Sequence, residues 1–97
     1  MPTYVALMNW TDQGVVADRE TVHRRDQADA LAEKHGASIE QVYWTVGPYD
    51  LVTIVEAPDD QSASAMLLEL GSAGNLRTLT LRAYDHGEMS GILQRLG

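Results

Sequence analysis

Asn9, Trp10, Trp44 and Arg82 each offer an N–H donor, and donors of this kind can stabilise negative charge on a bound molecule. Towards an electron-rich aromatic compound such residues could supply desolvation, orientation and donors aimed at a developing oxyanion. Tyr43, beside Trp44, would extend such an aromatic wall. Tyr49 and Asp50, just after Gly47-Pro48, are placed to meet a ligand at the mouth of a cavity. The competing roles are structural. Tryptophan and tyrosine bury large apolar areas in ordinary cores, and Asp commonly binds the amides of a turn. Strict alternation along the strands puts Trp10 and Arg82 on one sheet face and Trp44 on the other, which argues against a single pocket. Arg77 and Arg82 are the best anion contacts, with a salt bridge across a subunit interface as the alternative for Arg82.

Imidazole or metal chemistry has thin support. His23 and Asp26 stand at i, i+3 on a predicted helix, His35 ends that helix, and His86 falls in a turn; no HxxxH or HxH accompanies them. No metal site and no cofactor are expected. With no cysteine, thiolate ligands, disulfides and cysteine nucleophiles are excluded. No phosphate-binding glycine loop, dinucleotide fingerprint or G-x-S-x-G elbow is present. A formal charge of −7, with Arg24-Arg25 the one basic pair, opposes nucleic acid and anionic membranes as partners. The start Met1-Pro2-Thr3 lacks a signal peptide, and no apolar run reaches membrane-spanning length, so a cytoplasmic location is expected.

These side chains must be positioned by one domain, residues 1–97, since the chain is too short for two cores. The pattern predicts strands over 4–10, 39–46, 49–57 and 76–84. Helices are predicted over 19–35, with Asp18 as cap and Gly36 as stop, from Asp59 or Asp60 to Leu70, and over 88–96. The last carries Met89, Ile92, Leu93 and Leu96 at helical spacing, so it should dock. The first half of helix one is thin in apolar residues, because Arg24, Arg25 and Asp26 occupy its places.

The order strand, helix, strand, strand, helix, strand, short helix is the split βαβ pattern of an α+β, ferredoxin-like fold: a four-stranded antiparallel sheet with both long helices on one face. A three-residue turn at Gly47–Tyr49 would gather Val42, Trp44, Val46, Val52 and Ile54 beneath the helices. The other face would then carry Tyr4, Ala6, Met8, Leu51, Thr53, Val55, Thr78 and Thr80. So apolar a face calls for cover, and a second copy gives a homodimeric α+β barrel.

Three segments, PTYVALMNWTDQG, VYWTVGPYDLVTIVEAPDD and LGSAGNLRTLTLRAY, together resemble the GYD-domain family, with Gly47, Tyr49 and Asp50 matching its namesake motif around an inserted Pro48. The resemblance spans nearly the whole chain. It implies a small bacterial or archaeal domain of the dimeric α+β barrel type with no established common activity. Fold relatives include the ligand-sensing domains of Lrp/AsnC regulators and cofactor-free antibiotic-biosynthesis monooxygenases, and Asn9, Trp10, Trp44 and Arg82 resemble in type the residues with which the latter hold aromatic substrates.

The leading expectation is a homodimeric small-molecule-binding or accessory domain, assembling as a dimer or higher oligomer. The alternatives are a cofactor-independent monooxygenase or isomerase acting on a small aromatic or polyketide-like compound, and a stand-alone ligand-sensing module.

Overall fold

The computed structural model of the protein describes residues 1–12, 21–74 and 76–97. Its elements follow as β1 (Thr3–Trp10), α1 (Thr21–Lys34), β2 (Ser38–Trp44), β3 (Leu51–Glu56), α2 (Asp60–Ser72), β4 (Leu76–Ala83) and α3 (His86–Gln94). The strands form one antiparallel sheet in the order β2-β3-β1-β4, the arrangement that two βαβ crossovers of a ferredoxin-like fold produce.

Local chemistry sets the ends of these elements. Gly36 stops α1 at φ +71°, where a side chain would be strained, while Ala37 N donates back to Ala32 O at 2.9 Å. Asp59 caps α2 by accepting from Ser62 N at 2.7 Å, and that bond holds its carboxyl below the usual aspartate range. The cap of α1 expected at Asp18 lies outside the described residues.

The inner face of the sheet is the reverse of the one alternation suggested. Tyr4, Ala6 and Met8 of β1 and Leu51, Thr53 and Val55 of β3 are buried. They pack with Ala32 of α1 and with Ala63, Met66 and Leu67 of α2. The expected interface set is therefore mostly core of a single chain, and Thr78 and Thr80 share its side of the sheet on edge strand β4. One cause is the connection between β2 and β3. Trp44 pairs with Leu51, so the turn spans residues 45–50 rather than three residues, and every facing assignment across it shifts by one. A second cause is a bulge between Ile39 and Gln41, which lets Ile39 and Val42 both face the helices.

The open face carries two cross-strand apolar rows. Register aligns Ile54, Val5 and Leu81 in one, and Tyr43, Val52, Leu7 and Leu79 in the other. Tyr43, Leu79 and Leu81 are about half exposed. Val46, expected under the helices, is fully exposed beyond the end of β2.

The last helix also departs from expectation. Its cap is well made: Asp85 accepts from Glu88 N at 2.7 Å, and Asp85 N donates to the Glu88 carboxylate at 3.1 Å. His86 lies in its first turn, not in a preceding loop. Yet no residue of α3 is buried, and Met89, Leu93 and Leu96 face solvent. Helical spacing identified the element, but the described residues do not bury that stripe.

Candidate functional site

Between the sheet and the two long helices lies a cleft of about 280 Å³. Its floor is Met8, Trp10, Val42, Trp44, Leu51 and Thr53, and α1 and α2 wall it with Leu31, Met66 and Leu70. This places Trp10 and Trp44 in one cavity, correcting the alternation that parted them: Trp44 sits opposite Leu51, and Met8, two residues before Trp10, is the next strand's partner of Leu51. Arg24 and Arg25 of α1 also line the cleft, at places where a fully packed helix would carry larger apolar side chains. Buried apolar volume with a few charged groups at the rim is the composition of a small-molecule site, and the size lies near the lower end for such sites.

Beside Arg24, the described charged groups at or near this rim are already engaged. Arg25 Nε donates to Asp29 Oδ1 at 3.2 Å. Glu69 receives Lys34 Nζ at 2.6 Å and His35 Nε2 at 2.8 Å, and these bonds, Lys34's foremost, hold its carboxyl below the ordinary glutamate range. His35 thus joins α1 to α2. The side chain of His23 lies outside the described residues, and among the described residues no three metal-ligating side chains converge.

The other candidate residues do not join the two tryptophans. Asn9 pairs with Arg77 across β1 and β4, and Tyr43 lies opposite Val52, both on the open face. Arg82 shares the helix-covered side but sits on β4, three strand spacings from β2, roughly 14 Å across the sheet. There it is already engaged. Its Nη1 donates to Thr3 O at 3.1 Å and to Ala83 O, its guanidinium lies 4.5 Å from the Tyr84 ring centroid and 5.6 Å from that of Tyr4, and Glu88 is 3.6 Å away. The four-donor oxyanion arrangement is therefore not assembled within one chain.

Asp50 has a structural role at the hairpin. Its Oδ2 accepts from Trp10 N at 3.0 Å, and its own N–H donates to Met8 O at 2.9 Å, so it ties the β2–β3 turn to the end of β1. Gly47 makes that turn at φ +143°, in the region that favours glycine. Tyr49 lends its backbone carbonyl to Thr45 Oγ1. The Gly-x-Tyr-Asp segment thus holds the strand end that carries Trp10 into the cleft.

Tyr4, at 4% exposure, donates its phenol to Asp60. Burial first, and then this bond, push its pKa from 10.0 up to about 12. Because the folded state favours the protonated phenol, its contribution to stability is complete below pH 10.0 and lost as pH climbs towards about 12. Denaturant unfolding across that interval should show falling stability in the wild type and a flatter profile in Tyr4→Phe; superimposable profiles would refute the assignment.

No helix among the described residues is long and apolar enough to cross a membrane. Sequence comparison matches residues 4–93 to the GYD domain. A Thermus thermophilus protein named glutamine synthetase and cystathionine beta-lyase binding protein is 35% identical over 92 residues, covering 92% of this chain and 95% of that one. The crystal structure of TTHA0845, also from Thermus thermophilus, superposes with a TM-score of 0.53 at 26% identity, covering 88% of this chain and 95% of that chain. The match runs from Tyr4 in β1 to Leu93 in α3 and so takes in the hairpin, both walls of the cleft and the sheet that floors it: the chain belongs to the GYD domain family.

Proposed function

We propose that this GYD-domain protein is a homodimeric accessory domain that binds a small molecule in the cleft between its sheet and helices. The cleft carries the reading: a largely apolar cavity floored by both tryptophans of the chain and lined from α1 by Arg24 and Arg25. Dimerisation is supported by the open sheet face, whose two apolar rows would be left in water in a monomer. Two such sheets packed face to face would make the α+β barrel of this fold type.

A second reading is favoured by the Thermus relative, whose name describes a protein that binds two metabolic enzymes. On that reading the chain docks on an enzyme, and the exposed apolar row of α3 is the surface available for it.

Native mass spectrometry of protein purified gently from its own cells separates these readings. The expected species is a dimer carrying a small compound, with the compound lost in Ala28→Trp, which fills the cleft from α1. A complex with a whole enzyme that is lost in Leu93→Glu would support the second reading instead. Bare monomers, together with unchanged tryptophan emission when the protein is titrated with a metabolite extract, would remove the first.

A further inference from the structure

Arg24 gives the cleft a chemical preference. Its Nη1 is buried and has no hydrogen-bond partner among the described residues. Guanidinium is always charged and only donates, so a buried N–H without an acceptor is an interaction left unmade, at a cost that an incoming acceptor would remove. Among the described residues the neighbouring charges cannot serve: Glu69 is held by Lys34 and His35, and Asp29 by Arg25. Most of the other described lining is apolar or aromatic. The cleft therefore offers a cation to an anion and apolar surface to hydrocarbon or a ring.

We infer that the cleft takes a small monocarboxylate with an aromatic or branched apolar body, its carboxylate received by Arg24 and its body lying over Trp10 and Trp44. This rests on the cleft being a ligand site. A planar carboxylate matches the guanidinium fork, and an apolar body displaces water from Met8, Leu31 and Leu51. Larger anions such as nucleotides fit poorly, because a cavity of about 280 Å³ with one uncommitted cation among the described residues has neither the room nor the charge for several phosphates.

The probe pair is hydrocinnamate and its neutral amide, which share a shape and differ in charge. The chain has two tryptophans, and both line the cleft, so their emission reports binding directly. Wild-type protein is expected to bind the carboxylate about tenfold or more tighter than the amide, the size of a charge-assisted hydrogen bond. Arg24→Gln should bind both with nearly equal, weak affinity, and Arg24→Lys should keep part of the preference. Far-UV circular dichroism and the unfolding midpoint of each variant establish that it remains folded. Equal binding of the two probes by the wild type would overturn the carboxylate preference while leaving a ligand cleft. A preference that survives in Arg24→Gln would overturn the role of Arg24. Silence with both probes would overturn the inference together with the cleft reading on which it rests.

Discussion

Met8→Glu is expected to leave the chain largely unfolded at room temperature. Met8 is 3% exposed in the cluster with Ala6, Leu51 and Leu67, and its sulfur accepts the Thr53 hydroxyl at 3.7 Å. A carboxylate placed there is set among Ala6, Leu51 and Leu67, so folding must either bury the charge or protonate it, at a penalty of several kcal/mol. The lost methionine packing adds about 2 kcal/mol or more. Domains of this size hold roughly 5–15 kcal/mol in total, so the sum is enough to abolish a marginal fold. Urea titration followed by circular dichroism reads it: the transition should be lost or moved to very low denaturant. A near wild-type midpoint would mean that Met8 does not lie beneath the helices.

The converse is expected of Leu79→Glu combined with Leu81→Glu. Both leucines lie on the open face, 51% and 47% exposed, so within one chain the charges would remain solvated and the monomer fold should survive with a stability change below about 1 kcal/mol. In a dimer made by packing two such faces, each copy would place two carboxylates in an apolar seam, and the two-fold axis doubles the insult. Self-association should weaken by at least about 100-fold, from dimer to monomer at micromolar concentration by sedimentation velocity. A wild-type monomer, or a variant that stays dimeric, would show that this face is not the seam.

The contrast between Met8 and Leu81 marks how far the sequence can be read. Element order, the sheet and the stop at Gly36 are legible, because turn chemistry and periodicity are local. Which face of the sheet turns inward is not. In β1, Val5 and Leu7 are as apolar as Ala6 and Met8, so hydrophobicity alone does not choose between the two faces. The choice rests on the register of β2 against β3, and that depends on a bulge near Glu40 and a turn longer than the Gly-Pro pair suggests. The same shift is what separates Trp44 from Trp10 under strict alternation. Arg24 reads in the sequence as a poor filler for a helix face, and periodicity carries that no further than a thin packing stripe. That residue lines the cleft, and its Nη1 is without a hydrogen-bond partner among the described residues.

α3 carries a consequence for the timing of assembly. It has nine residues, shorter than a helix that is stable alone in water, and no tertiary burial supports it. Its capping box is internal to the segment, so the unfavourable first turn is nucleated by Asp85 and Glu88 before any surface arrives. If α3 is the surface that docks on an enzyme, the arm would sample its binding-competent shape in advance, within the nanoseconds to a microsecond of helix–coil exchange. Encounter with a partner would then select that shape instead of waiting for it to be made, and diffusion, not folding of the arm, would limit its capture.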